Sequence, residues 1–171
     1  MSRARKRDRI GAILEQWARE RPDIETLPMG VVGRIQRAAQ ALRPRLDATH
    51  ASFGLLGESF DVLAALRRAG KPYRLTPTQL YEQLMLSSGA VTNRLERLAE
   101  AGLIERRPDP NDGRSSLVLL SPKGLKTIER AVGEHVRNEA ALLGALSRAE
   151  QVQLSGLLER LLISWDDVDP A

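Results

Sequence analysis

The sequence predicts a mainly α-helical protein with one small β-hairpin, and three observations support that prediction. Apolar residues recur at intervals of three and four over most of the 171-residue chain, which is the spacing of one face of a helix. Between residues 103 and 120 the pattern changes to two short strand-like runs separated by turn-forming residues. Aromatic residues make up only 4% of the chain, so the core must consist of aliphatic side chains, which favours helices over a β-sandwich.

Three helices are predicted in the first part of the chain. The first spans about 8–20, and the second spans about 29–49, with Pro44 expected to kink or interrupt it. The third, over 59–69, is apolar on nearly all sides, so we expect it to be buried. Asp61 is the one charge within its apolar run and would need a partner in such a setting.

A short helix-turn-helix is predicted next. Thr76 and Gln79 form a capping box around Pro77, which suits the first helical position, so a short helix begins there and ends near residue 84. After a tight connection, a second helix begins at residue 87 or 88 and runs to residue 100, where Gly102 closes it.

A hairpin and two further helices complete the predicted order. The strands cover 103–107 and 116–120, and the turn formers of 108–114 separate them. Ser121 and Pro122 begin a long helix whose apolar residues continue at helical intervals to Leu146. Ser147 and Glu150 form a second capping box, which opens a last helix that extends to Trp165.

The composition limits the classes of protein to which the chain can belong. It contains no cysteine, which excludes disulfides, thiolate metal sites and a cysteine redox switch. It has no apolar run of the roughly 18 residues that indicate a membrane span, and no signal-type apolar core follows its basic N-terminus. We therefore expect a cytoplasmic protein with no membrane partner.

Charge is distributed unevenly along the chain. Residues 1–120 hold 20 basic and 14 acidic side chains, a net charge of +6, whereas residues 121–171 hold 6 and 8, a net charge of −2. A basic N-terminal part and a mildly acidic C-terminal part fit a chain in which one part faces nucleic acid and the other faces a protein partner.

The second helix of the helix-turn-helix has a polar face suited to the major groove of DNA. At about 100° per residue, Val91, Leu95 and Leu98 share the inward face. The outward face offers small residues that permit close approach, side chains that can read base edges and an N-terminus that suits a phosphate. An arginine near the hairpin tip can enter a minor groove. The predicted DNA contacts are Ser87, Ser88, Gly89, Thr92, Asn93, Arg97, Arg114 and Ser115.

Two other classes of function are weighed against DNA binding. Winged helices also serve as protein-docking modules. An enzyme is disfavoured because the sequence contains no P-loop, dinucleotide-binding glycine motif, metalloprotease histidine motif or nucleophile elbow. His50 and His135 are isolated on separate helices, so we do not expect a paired-histidine metal site within one chain. We predict no catalytic residues, no metal and no cofactor.

Residues 60–124 resemble the MarR family of bacterial regulators. They contain FDVLAALRRAG, LTPTQL and LSSGAVTNRLERLAEAGLIERRPDPNDGRSSLVLLSPKG in the family's order and spacing. The resemblance implies a winged helix-turn-helix homodimer on a pseudo-palindromic operator of double-stranded DNA, usually repressing until a small molecule binds. One position departs from the family, whose wing usually reads Asp-Arg-Arg: Asp112-Gly113-Arg114 lacks the middle arginine.

A finer resemblance concerns the branch of this family that has an extra N-terminal helix and responds to urate. The segment WARERPDIETLPMGVVGRIQRAA is similar to that branch. The branch's ligand set implies an aromatic from the extra helix, a carboxylate from the helix before the helix-turn-helix, and arginines from the recognition helix and first wing strand. An anionic heterocycle held by two arginines and stacked on an indole is chemically sensible. The implied ligand-binding residues are Trp17, Asp61, Arg94 and Arg106.

Each of these four residues also has an alternative role. Trp17 fits a core or dimer-interface aromatic, and Asp61 fits a carboxylate that complements a helix N-terminus. Arg94 fits a phosphate contact, and Arg106 fits an ion pair with Glu105 or Asp109. The alternatives to urate as the effector are a phenolic acid and a different purine.

The predicted elements divide the chain into three functional segments. Residues 1–54 supply N-terminal helices for dimerisation and for covering the ligand site. Residues 55–122 form the winged helix-turn-helix lobe, and residues 123–171 form C-terminal dimerisation helices.

Overall fold

The structure of the chain, a computed structural model, describes residues 7–84, 88–110 and 112–165. Contacts divide the chain into two compact units, Met1–Arg45 and Leu46–Ala171. The three-segment functional division remains a prediction. The described elements are α1 (Arg9–Glu20), α2 (Leu27–Ala51), α3 (Gly57–Arg68), β1 (Arg74–Leu75), α4 (Pro77–Leu84), α5 (Ser88–Glu100), β2 (Ile104–Asp109), β3 (Asp112–Leu120), α6 (Pro122–Leu142) and α7 (Arg148–Ile163). No helix in this part of the chain is long and apolar enough to cross a membrane.

The first unit is built from α1 and the adjoining part of α2. Asp8 caps α1 by accepting a hydrogen bond from the Gly11 backbone N–H at 2.8 Å. The same carboxylate accepts hydrogen bonds from Arg34 of α2, with Nε–Oδ2 2.8 Å and Nη2–Oδ1 3.1 Å. These interactions, the Arg34 side-chain bonds first, hold the pKa of Asp8 below its ordinary value because they favour the charged form.

Two glycines of α2 allow α1 to approach it closely. A Cβ on Gly30 would lie 2.9 Å from Leu14 Cδ1, and a Cβ on Gly33 would lie 3.2 Å from Ile10 Cδ1. Larger side chains at these positions would therefore push α1 away from α2.

Helix α2 continues through Pro44 from Leu27 to Ala51, so of the two expected outcomes, a kink or an interruption, the interruption does not occur. A proline removes one backbone hydrogen bond and crowds the preceding turn. In a 25-residue helix the turns on either side of Pro44 retain their own bonds, and the helical path persists. The boundary between the two units nevertheless falls just after this position, between Arg45 and Leu46.

Helix α3 lies at the centre of the second unit, as its apolar sequence predicts. It contacts α4, α5, α6 and the sheet, and its buried side chains are Ser59, Phe60, Val62, Leu63, Ala64, Ala65 and Leu66. Asp61 is the exception, because its side chain is exposed. The premise that a buried setting obliges Asp61 to find a partner is therefore wrong.

The hairpin is part of a three-stranded antiparallel sheet of order β1-β3-β2. Strands β2 and β3 form the predicted hairpin, with Arg106 opposite Val118. Strand β1 was not predicted. It pairs Arg74 with Leu119, and its two residues are too few to show an alternating pattern.

The predicted helix ends are confirmed where the signal is a cap. The Thr76 N–H donates to Gln79 Oε1 at 2.9 Å, and the Gln79 N–H donates to Thr76 Oγ1 at 3.2 Å. Ser147 and Glu150 form the same reciprocal box at the start of α7. The C-terminal ends of the last two helices lie earlier than predicted. Helix α6 ends at Leu142, and Trp165 lies in the turn after α7.

We predict that Gly124→Ala lowers the free energy of unfolding by about 1–3 kcal/mol, a typical cost of overpacking. A Cβ at this position of α6 would overlap the backbone carbonyl oxygen of Leu103. That carbonyl cannot easily retreat, because it also accepts a hydrogen bond from the Ser121 N–H at 3.1 Å. Urea unfolding at fixed protein concentration measures the change.

Gly133→Ala is the matched control in the same helix. Its new Cβ would meet nothing nearer than the end of the Arg137 side chain at 4.0 Å. The higher helix propensity of alanine should then stabilise the protein by up to about 1 kcal/mol. Equal destabilisation by both variants would show that the contact with Leu103 is not the limiting one.

Candidate functional site

Helix α5 is held in the second unit by the inward face that its sequence predicts. Leu95 and Leu98 are 1% and 2% exposed and belong to the same core as Leu80 of α4 and the buried face of α3. Gly102 ends the helix with φ +67, and the Leu103 N–H donates to the Leu98 carbonyl at 2.9 Å, as in a glycine-terminated helix. The side chain of Val91 lies outside the described residues.

The opposite face of α5 is open to solvent. Gly89, Thr92, Asn93 and Arg97, four of the residues predicted to contact DNA, are all exposed. A Cβ on Gly89 would meet nothing within 4 Å, so a large surface can approach the first turn of the helix closely. An exposed amide and an exposed guanidinium one turn apart supply the donor and acceptor groups that read base edges.

The other predicted DNA contacts fall outside the described residues. Ser87 lies in a stretch that the structure does not describe, and the side chains of Ser88, Arg114 and Ser115 are likewise not described. Their roles remain predictions, as does the effect of Gly113 in the wing.

The four residues of the implied ligand set lie in both units. Trp17 belongs to the first unit, where its side chain is 40% exposed on α1. Asp61, Arg94 and Arg106 belong to the second unit, on α3, α5 and β2. Asp61 and Arg106 are exposed, so both are accessible to a ligand from solvent.

Arg94 differs from the exposed residues of α5, because its side chain is only 13% exposed. It lies at the edge of the inward face, as helical geometry predicts, and forms an ion pair with Glu58 of α3, with Nε–Oε2 3.3 Å. Glu58 was not selected from the sequence. It precedes Asp61 by one helical turn, and that i, i+3 spacing is the signal that places both carboxylates on one face of α3.

The wing strand contains an ion pair that bears on Arg106. Glu105 pairs with Arg107, with Nη2–Oε2 2.5 Å. The alternative in which Glu105 holds Arg106 is therefore not what the structure shows.

His50 and His135 are not isolated, in contrast to the prediction. His50 Nε2 lies 3.1 Å from His135 Nδ1, and His135 Nε2 lies 3.1 Å from Glu139 Oε1. The His50 ring also stacks on Phe60 with a centroid distance of 4.1 Å. One ring nitrogen must donate and the other accept, so the pair ties the end of α2 to α6. Over the described ranges, no three or more His, Asp or Glu side chains form a group that could hold a metal ion.

Comparisons with known proteins agree with this geometry. A family model described as the MarR family matches residues 53–115. The HTH-type transcriptional regulator PecS of Dickeya dadantii is 38% identical over 152 residues, which cover 89% of this chain and 92% of the relative.

Solved structures show the same fold. A mutant MarR from Escherichia coli, crystallised in complex with operator DNA, has a TM-score of 0.69 and 30% identity, and the match covers 80% of this chain and 94% of that one. BpsR of Bordetella bronchiseptica, solved to explain the regulation of its DNA binding by 6-hydroxynicotinic acid, has a TM-score of 0.68 and 27% identity, covering 77% and 91%.

The two faces of α5 predict effects on stability of very different size. Leu95→Ala should lower the free energy of unfolding by about 2–5 kcal/mol, because it leaves a cavity in the core. Asn93→Ala, one of the exposed positions, should change it by less than about 0.5 kcal/mol. Thermal and urea unfolding of both variants measure the difference. A large loss of stability in Asn93→Ala would show that this face is covered in the folded protein.

Proposed function

Since this chain belongs to the MarR family of DNA-binding transcriptional regulators, we propose that it is a homodimeric repressor that leaves a pseudo-palindromic operator when a small urate-like anion binds. The observation that supports DNA reading most directly is α5 itself. Its apolar ridge is buried in the core, and its polar side, with Asn93 and Arg97, is bare.

In this proposal α5 enters the major groove and the hairpin acts as the wing. Asn93 and Arg97 contact base edges, whereas the first turn of the helix, with Ser87, Ser88 and Gly89, receives a backbone phosphate. Arg114 and Ser115 lie against the adjacent minor groove. The solved complex of E. coli MarR with operator DNA supports double-stranded DNA as the partner in this proposal.

Exposed apolar side chains support the homodimer. Large exposed apolar areas are uncommon on monomers. Helix α1 contributes Ile13 and Trp17, and the N-terminal turns of α2 contribute five further side chains. The exposed apolar residues of the second unit from α6 onward are Val132, Val136, Leu143, Val152, Leu154, Leu157, Leu158, Leu162, Ile163 and Trp165. A second copy that covers these helices would set two α5 helices about 34–36 Å apart, one turn of DNA.

The residues proposed to bind the small anion are Trp17, Asp61, Arg94 and Arg106. Two guanidinium groups supply charge-assisted hydrogen bonds, and the indole supplies a stacking surface. Because Arg94 belongs to α5, an anion that binds Arg94 would change the orientation of the helix that is proposed to read DNA. The regulation of BpsR by a heteroaromatic acid supports an effector of this class, and a phenolic acid or another purine is the alternative.

We predict that Arg97→Ala weakens operator binding by about 1–3 kcal/mol and relaxes specificity at one base pair, because it removes a base contact. Fluorescence anisotropy with a duplex from upstream of the protein's own gene measures the affinity at fixed salt. Arg148→Ala, which removes an exposed arginine at the start of α7, is the control and should have a smaller effect. Unchanged affinity in Arg97→Ala would remove this residue from the interface.

We predict that urate lowers operator affinity about 5- to 150-fold, the range of a typical allosteric coupling of 1–3 kcal/mol. Asp61→Ala and Arg106→Ala should each lose most of that response while they still bind the operator. Arg107→Ala, which removes the partner of Glu105 on the same strand, should retain it. A full response in both Asp61→Ala and Arg106→Ala would place the ligand elsewhere, and a response only to phenolic acids would change the effector class.

A further inference from the structure

Helix α5 is linked to the core of its unit by an ion pair as well as by apolar contacts. Arg94 reaches back from α5 to Glu58 in the first turn of α3. Its side chain is largely buried, whereas that of Glu58 is about half exposed. Solutes can therefore reach the carboxylate of this pair more readily than the guanidinium group.

A largely buried guanidinium needs a counter-ion nearby, since removing a charge from water is costly unless it is paired. Glu58 supplies that counter-ion. Its own position is also favourable, because a carboxylate in the first turn of a helix interacts with the positive end of the helix dipole. No side chain caps α3 at Leu56, so the N-terminal end of α3 relies on interactions of this kind.

We propose that Glu58 is a built-in counter-ion that holds Arg94, and through it α5, against α3 until an anionic effector takes its place. This inference rests on the proposed anion site at Arg94. Glu58 is a positioning residue in this scheme: it acts on DNA and effector through Arg94.

The chemistry of the exchange follows from the guanidinium group. Glu58 Oε2 lies 3.3 Å from Arg94 Nε, and a planar anion that binds a guanidinium group in bidentate fashion uses its Nε and Nη hydrogens together. A carboxylate and a flat heterocyclic anion therefore compete for the same edge of Arg94. When the anion replaces Glu58 at Arg94, Glu58 no longer ties α5 to α3, and α5 can tilt.

Competition of this kind lowers the affinity of the anion by the strength of the pair. Ion pairs with one exposed partner contribute little free energy. The loss of such a pair therefore changes an equilibrium constant by about two- to fivefold. Glu58→Gln preserves the shape of the side chain but removes its charge. It should therefore bind urate about two- to fivefold more tightly than the unaltered protein, in calorimetric titrations of the full chain without DNA.

Glu129→Gln is the matched control, because it removes the charge of another carboxylate that pairs with an arginine in the same unit. Glu129 Oε1 lies 2.5 Å from Arg67 Nε on the exposed side of α6. This variant has the same change in net charge as Glu58→Gln, and its urate affinity should be unchanged.

Amide hydrogen exchange of the free protein gives a second readout that needs no ligand. Loss of the tie to α3 should accelerate exchange in α5 of Glu58→Gln and not in α5 of Glu129→Gln, because local openings report how firmly an element is held. Unchanged exchange in α5 of both variants would overturn the proposal.

The outcomes separate this inference from the proposed function. If the unaltered protein responds to urate and Glu58→Gln binds it no more tightly, or if both variants gain equally, Glu58 does not compete for Arg94 and the proposed function stands. If no variant binds urate although all bind operator DNA, the effector is wrong. Hydrogen exchange alone then decides whether Glu58 holds α5.

Discussion

The burial of α3 on nearly every side is the constraint on which the second unit depends. Because Val62, Leu63 and Leu66 are all fully enclosed, each neighbouring element must present an apolar face to α3. Helix α5 does so through Leu95 and Leu98, and this fixes its rotation about its own axis. The polar side of α5 is therefore turned toward solvent as a consequence of core packing.

Two kinds of interaction hold α5, and they differ in how they respond to solutes. The leucine contacts are non-directional, and burial of each such side chain stabilises the fold by about 1.5–3 kcal/mol. In the ion pair between Arg94 and Glu58 the carboxylate is about half exposed and the guanidinium group is largely buried, and pairs with an exposed partner contribute about 0.2–1 kcal/mol. In the proposed exchange, an anion would therefore disturb the pair without disrupting the core, and α5 would change its tilt while the unit stays folded.

Features with local causes could be predicted from the sequence. The caps at Thr76, Ser121 and Ser147 depend on residues three positions apart, and the structure shows them where the pattern indicates. The inward face of α5 follows from helical periodicity alone. Pro44 does not interrupt α2, because a proline removes one backbone hydrogen bond while the turns on either side keep their own.

Features with non-local causes could not be predicted. His50 and His135 are brought to 3.1 Å across 85 positions of sequence, and no periodicity reports such a pairing. Glu58 and Arg94 meet in the same way, from different helices. The exposure of Asp61 could not be predicted for a related reason. A helix enclosed by apolar partners can still leave one narrow strip exposed, and a single sequence does not show where that strip lies. The proposed ligand set therefore depends on the resemblance to the family, and Glu58 on the structure.

In the proposed function, the helices outside the core connect dimerisation to DNA reading. Neither α1 nor α7, both fully within the described ranges, contains a buried side chain, although both have large apolar residues. In the proposed dimer a second copy covers them, so the same contacts that bury these side chains also set the distance between the two α5 helices. Tethering makes the second half-site an intramolecular event, and its benefit is lost when the geometry prevents simultaneous binding. In the proposed mechanism, a small tilt of each α5 misaligns two helices that must fit one duplex together, and the operator is released.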